Sequence, residues 1–402
     1  VIILLTALRL GTLFFLSSFL SANWLTRMPD LLLQLGVNKQ TMGLALFLGP
    51  VGALIAAPLS GPLMDRTPPS RVAIYGLILA ALMVFGIGLS VHWSMLSTVV
   101  FFFAIGQTLF EIGGNAAVQR LEVETGNKYM AQCHGYWSLG FVCGALSAGA
   151  FGQFAVPLGW HLGIIAVLGV AGAIGINWVL PMSVRGTLER KAKVAGAQTF
   201  ALPSVALIGV GLMAIGVTLA ESAVYDWGTL FLREQLQPSP FWTSVAYGTF
   251  PLTMFFGRLG GDWFRARYRA VSIVRVCATL TTIGLIGFIV SPHVLTSALS
   301  LALMGIGVSL VMPISVAAAG DKPGDPARNV AAMSMLLTAI FLLAPPGVGF
   351  VAEHFGLTMA FVMMVPFAIL SGVFAFEAEP RAEHEKMIGE AGRIGDTNAS
   401  TT

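Results

Sequence analysis

Charge is what this chain has least of. Only 10% of its 402 residues are Asp, Glu, Lys or Arg, against about a quarter in a soluble domain. So few charges cannot cover a water-facing surface of that size. Cysteine is scarce too: Cys133, Cys143 and Cys277 lie in or beside apolar runs. An odd number without paired spacing argues against a disulfide framework or a metal site, and the three read as small apolar packing residues. There is no Gly-x-x-x-x-Gly-Lys-Ser/Thr phosphate loop, so ATP is not the expected power source, and no His-Glu-x-x-His metal motif. The basic residues sit in short loops and read as topogenic, not as a nucleic-acid patch. No segment resembles a cleavable signal peptide, because the first apolar run is too long and lacks a small-residue cleavage site. The chain begins at Val1 instead of Met, and a few native residues are expected to be missing there.

Apolar residues are what it has, at 56% of the chain. They come in runs of eighteen or more, the length a bilayer-crossing helix needs. We expect an all-α, multi-pass membrane protein with twelve spans near 4–27, 40–63, 72–91, 95–119, 130–153, 161–182, 203–230, 241–261, 270–290, 294–318, 329–350 and 357–377. The longest internal polar stretch, 183–202, divides them six and six. The expected organisation is a six-helix bundle over 1–182, an inter-bundle loop over 183–202, a second bundle over 203–377, and a disordered polar tail over 378–402. Twelve spans put both ends on one side. That side collects all Lys and Arg except Arg27, Lys39 and Arg233, so the termini and the 183–202 loop are expected in the cytoplasm.

The halves repeat. "GPLMDRTPPSRV" follows span two and "GRLGGDWFRARYRAV" follows span eight, placing Asp65 and Asp262 apart by 262 − 65 = 197 positions. Parallel six-helix repeats about the membrane normal are a transporter architecture. Here the sequence resembles the major facilitator superfamily over essentially all twelve spans. The family pattern after span two is Gly-x-Leu-Ala-Asp-Arg-x-Gly-Arg-Arg. This chain matches it at Gly61, Leu63, Asp65 and Arg66, departs at Pro68, Pro69 and Ser70, and supplies Arg71 next. The second copy keeps Gly257, Arg258, Gly261 and Asp262. The resemblance implies the major facilitator fold, with Asp65, Arg66, Arg71, Arg258 and Asp262 in a cytoplasmic gate. An Asp at a helix junction can accept from free N–H groups or pair with a neighbouring Arg, a contact that can form in one state and break in another. More narrowly, the acid in span four resembles the fucose-permease-like branch of sugar–proton symporters. Drug-exporting antiporters of the superfamily carry Gly-Pro in span five, where this chain has Gly144-Ala145, which disfavours the exporter reading.

That acid is Glu111, in "GQTLFEIGGNAAVQ". Gln107, Glu111, Asn115 and Gln119 are spaced by four, so they fall on one stripe drifting about 40° per step. A carboxyl among hydrocarbon must pair, face water or take up a proton. A structural helix–helix hydrogen bond needs only a neutral Gln, so Glu111 reads as the proton carrier, with Glu221 the second choice. Counting about 1.5 Å per residue, Asn115 and His134 lie about 6 Å from the cytoplasmic boundary, with Glu111 level with Trp137 and Ser138. These five can form one cluster, although His134 reads equally well as a capped interface histidine. Span one adds Asn23, Trp24 and Arg27; span seven adds Glu221, Tyr225 and Asp226. The repeat offset, 27 + 197 = 224, sets Arg27 opposite the Glu221–Tyr225 turn, so we expect Arg27 to pair with Glu221 or Asp226 in an outer gate, snorkelling to the interface being the alternative. Trp24, Trp137, Tyr225 and Tyr247 offer aromatic faces for a polar solute.

The expectation is a non-enzymatic, monomeric secondary transporter of the bacterial inner membrane. It would use no cofactor beyond the proton gradient and carry a small polar, sugar-like solute with protons. The alternative is a proton-driven antiporter exporting a drug or metabolite. A sensor on the same scaffold is disfavoured by the few residues left outside the membrane.

Overall fold

The computed structural model describes residues 2–179 and 204–379, the side chains of residues 2–5, 179, 262 and 327 excepted. The inter-bundle loop expected at 183–202, and the tail from residue 380, lie outside the described residues. No strand occurs among the described residues.

The N-terminal half runs α1 (Ile2–Thr26), α2 (Met28–Leu35), α3 (Lys39–Met64), α4 (Pro69–Gly88), α5 (Trp93–Thr125), α6 (Met130–Gln153) and α7 (Leu158–Val179). The C-terminal half runs α8 (Ile208–Gln235), α9 (Pro240–Leu259), α10 (Gly261–Arg265), α11 (Ala270–Val290), α12 (Val294–Val308), α13 (Val311–Gly320), α14 (Pro326–Val362) and α15 (Val365–Val373). Among the described residues, eight stretches are long and apolar enough to cross a bilayer. Helices α1, α6 and α9 add 25, 24 and 20 residues of helix, each enough for about 30 Å at 1.5 Å per residue. Expected spans eleven and twelve run together in α14 and part at Gly356, whose φ of 86° breaks the helix. Span ten is interrupted between α12 and α13, just before Pro313, which cannot donate to the carbonyl four residues back.

Local chemistry sets the ends. Asn38 caps α3 by accepting from the Thr41 N–H at 2.8 Å, and Asp325 caps α14 by accepting from Arg328 N–H at 3.0 Å. Glu122, late in α5, accepts from the Tyr129 and Met130 N–H groups at 2.6 and 2.8 Å and so caps the start of α6. The tail expected from 378 is anchored where it starts: Glu377 pairs with Lys322, and Glu379 with Arg269.

Within the halves α1 packs on α6, α4 on α5 and α9 on α12; between them α3 packs on α14 and α6 on α9. Small residues permit the closest of these. A Cβ on Gly144 of α6 would stand 2.7 Å from the Phe19 carbonyl oxygen and 2.8 Å from Ala22 Cβ of α1, which is the small-residue approach expected of membrane helices.

Candidate functional site

A cavity of about 800 Å³ lies between the halves. Its N-terminal wall comes from α1 (Phe14, Ser17, Ser21, Trp24), α5 (Phe103, Gln107, Glu111) and α6 (His134, Trp137); the opposite wall includes Ser222, Tyr225, Asp226, Arg258, Pro313 and Thr338. Its size falls in the range of small-molecule sites, about 300–1,000 Å³.

The polar stripe of α5 does two jobs. Gln107 is fastened to α1: it accepts from Ser17 Oγ at 2.9 Å, donates to the Ser17 carbonyl at 3.1 Å and donates to Ser21 Oγ. Glu111, one turn on, is exposed on the cavity wall and has no hydrogen-bond or ion-pair partner among the described residues. Asn115 is half-buried with its Oδ1 unpartnered, and Gln119 is exposed. Across the cavity, Arg258 Nη2 lies 3.6 Å from Glu221 Oε1, and Ser222 Oγ donates to Asp226 Oδ2 at 3.4 Å. Trp24 meets Phe103 edge-on, at 5.7 Å between ring centroids, and Tyr225 meets Phe141 at 5.2 Å.

Of the residues singled out from sequence, Trp24, Gln107, Glu111, His134, Trp137 and Tyr225 meet in this cavity, together with Asp226 and Arg258. Arg258, expected in a cytoplasmic gate, stands in the last turn of α9 with its guanidinium turned inward to Glu221. Tyr247 does not face the cavity: it is fully buried behind the wall, donating its hydroxyl to the Tyr225 carbonyl at 2.9 Å. Ser138 is buried beside α1 and does not line the cavity, and neither does Asn115 or Glu221. Asp65, Arg66 and Arg71 are exposed and have no ion-pair partner among the described residues; the side chain of Asp262 lies outside them.

The expected pairing of Arg27 with Glu221 or Asp226 does not occur. Arg27 is buried, bonds Asp30 through Nε, donates to the Val156 carbonyl at 3.1 Å and meets His161 at 3.3 Å. The reason is depth. Thr229 Oγ1 donates to the Leu25 carbonyl at 3.3 Å, so α1 and α8 face each other at an offset of 229 − 25 = 204, not 197. Arg27 is therefore level with residue 231, and Glu221 lies about 15 Å deeper by the rise of a helix. Asn23 is likewise outside the cavity, joined to Ser147 and His161.

Around Arg27 the halves are tied together. Asp30 meets Arg233 at 3.5 Å, Lys39 Nζ meets Glu234 at 3.0 Å, and the Lys39 N–H donates to Glu353 at 2.9 Å. These links close the cavity at the Lys39 end, while the exposure of Glu111 and Gln119 runs toward the Asp65 end. Sequence reasoning missed Ser17, Ser21, Asp30 and His161. Only the i, i+4 spacing of Ser17 and Ser21 gave any signal.

Two helical bundles sealed at one end over a largely apolar cavity that carries a few polar groups define a multi-pass membrane transporter. The model of the Major Facilitator Superfamily matches residues 10–329, and the chain belongs to that superfamily. It is similar to an uncharacterized transporter, y4wD, of Sinorhizobium fredii, 26% identical over 367 residues that cover 90% of this chain and 95% of that one. It is also similar to membrane protein MosC of Rhizobium meliloti, 22% identical over 375 residues covering 91% and 88%. Among solved structures it resembles the nucleoside transporter NupG, with a TM-score of 0.74, 17% identity and coverage of 93% and 98%. A bacterial homolog of the human lysosomal transporter Spinster, inward-facing and unoccupied, gives a TM-score of 0.71, 16% identity and coverage of 94% and 97%. At such identities the structural likeness speaks for the fold alone.

Proposed function

We propose that this transporter is a proton-coupled symporter of a small polar, sugar-like solute. It works as a monomer by alternating access in the bacterial inner membrane, with the Asp65 end and both termini in the cytoplasm. The observation that carries the reading is Glu111: a carboxyl set mid-helix in a spanning segment, facing the cavity, with no partner among the described residues. A structural acid would be paired; an unpaired one facing a water-filled cavity is free to exchange a proton. Glu221 is held by Arg258 and is the second candidate. Trp24, Trp137 and Tyr225 supply faces for C–H stacking, and Asp226, Ser222 and Glu111 supply partners for hydroxyl groups. The seal at the Lys39 end corresponds to the inward-facing half of the cycle.

The test begins with a thermal-shift screen of polar metabolites on the purified protein. In proteoliposomes a hit should drive alkalinisation of the outer medium, and Glu111→Gln should abolish it or leave uptake uncoupled from pH. Proton-driven uptake that survives Glu111→Gln overturns the assignment. Proton movement opposite to the solute, with greater toxin sensitivity in a deletion strain, selects the antiporter instead.

A further inference from the structure

His161 is fully buried at the sealed end, in the first turn of α7. Its ring lies on Phe151 of α6, with centroids 4.3 Å apart and planes 25° apart. Nδ1 is 3.3 Å from Arg27 Nη1, and Nε2 is 2.9 Å from Asn23 Oδ1. A guanidinium only donates, so Nδ1 must accept. Asn23 Nδ2 donates to the Phe19 carbonyl at 2.8 Å, and Ser147 Oγ donates to Asn23 Oδ1 at 2.8 Å. These bonds fix the amide's orientation, so Nε2 carries the proton. Both nitrogens are thereby assigned, and the imidazole is neutral. A second proton has only Nδ1 to occupy, where it would point at a guanidinium N–H. That arrangement sets two cations against each other out of water, with nothing to compensate them.

No carboxylate among the described residues contacts the ring. Arg27, at the α1–α2 junction, is the one charged group among the described residues that does. Beyond it stand Asp30 of α2, which Arg27 bonds, and Arg233 of α8, 3.5 Å from Asp30. The neighbours from α1 and α6 are Asn23, Ser147 and Phe151, all uncharged. On α4, also packed against α7, the titratable and charged groups are Arg71 and Tyr75, toward the Asp65 end.

We infer that His161 is a proton-operated latch. Neutral, it holds Arg27, which positions Asp30 for Arg233 across the two halves; protonated, it repels Arg27 and releases that end of the cavity. His161 is thus a positioning residue acting through Arg27, and a second proton site separate from Glu111. The assignment rests on the alternating-access reading, with the Lys39 end facing outward. The sign follows from linkage. The sealed state accepts only the neutral ring, so opening takes up one proton, and the open-to-sealed ratio rises by up to about tenfold per pH unit of acidification. The response sets in as the pH falls through the range where a solvated imidazole titrates, about pH 6.5, and continues below it.

The experiment measures distance, without solute or gradient. Spin labels replace Leu33 and Gln237, exposed positions on opposite halves, in protein whose three cysteines are Ala, reconstituted in nanodiscs. Double electron–electron resonance from pH 8 to 5 should show a growing long-distance population in the otherwise native protein. Glu111→Gln should keep that response, and His161→Gln should flatten it. Asn23→Asp sets a carboxylate against Nε2–H, lets the sealed state keep an imidazolium, and should therefore shrink the response; it decides the matter if His161→Gln does not fold. A flat native profile, a response that persists in His161→Gln, a response lost in Glu111→Gln, or an undiminished response in Asn23→Asp each overturns the latch. A persistent response would point to Asp30, Glu234 or Glu353. Because no transport is measured, failure of the symport reading at Glu111 leaves a distinct signature.

Discussion

Replacing Arg258 with Ala probes how the cavity wall is held. Glu221 is 7% exposed, and its carboxylate has one ionic partner among the described residues, the Arg258 guanidinium at 3.6 Å. At an effective dielectric of about 20, unit charges at that separation attract by about 4.6 kcal/mol. Two effects reduce the loss. The Arg258 side chain is 35% exposed, so cavity water already screens the pair, and an abandoned Glu221 can take up a proton. We therefore expect Arg258→Ala to cost about 2–3 kcal/mol of apparent unfolding free energy, under the roughly 3–5 kcal/mol seen when a fully buried pair is broken. The loss comes from the stranded carboxylate, so a second change should restore it: Arg258→Ala with Glu221→Gln should recover most of the deficit. The assay is denaturant unfolding of purified protein in detergent, run as a double-mutant cycle, with a coupling of about 1.5–2.5 kcal/mol expected for groups in direct contact. An Arg258→Ala protein within about 0.5 kcal/mol of the native one refutes the reasoning. So does a double variant no more stable than the single one.

Two further outcomes separate packing from solute contact. Gly144→Ala should lose about 1–3 kcal/mol through overpacking against Phe19 and Ala22 of α1, whereas Gly175→Ala, with no atom within 4 Å of the added methyl, should be neutral or slightly stabilising; equal effects at the two sites would contradict the helix approach described for α1 and α6. Tyr247→Phe removes the hydrogen bond to the Tyr225 carbonyl and should cost about 1 kcal/mol while leaving solute affinity unchanged. A large affinity loss at native stability would place Tyr247 at the solute after all.

Hydropathy carried the reading of the spans a long way, because a helix in lipid must be apolar wherever it touches lipid. Expected span five, 130–153, coincides with α6, and span two, 40–63, falls within α3. The break inside span ten was less legible, because the interruption before Pro313 changes backbone direction without changing hydropathy. The turn at Gly356, by contrast, falls in the gap expected between spans eleven and twelve, where Glu353 and His354 interrupt the apolar run. At the site, Glu111 stood out because a carboxylate among apolar residues is costly wherever it points. Its partners did not stand out. Gln107, on the same polar stripe, is fastened to Ser17 and Ser21, a pairing that depends on how α1 is rotated against α5.

Arg27 marks the boundary between the two kinds of information. Composition and the positive-inside bias placed it near one end of a span, and the internal repeat proposed its partner. An offset taken from two loop motifs fixes register along the chain but not depth between facing helices, and the Leu25–Thr229 contact put the true offset seven residues away. Sequence alone therefore determined that this chain lies in a bilayer, roughly where each helix starts and stops, and that an acid in span four needs an explanation. Transfer of apolar residues and lone charges into lipid decides all of these one helix at a time. Which acid faces the cavity, which is paired with Arg258, and that His161 meets Arg27 were decided only by tertiary structure. Hydrogen bonds and ion pairs act over about 3 Å, so a few degrees of helix rotation or one turn of sliding selects the partner.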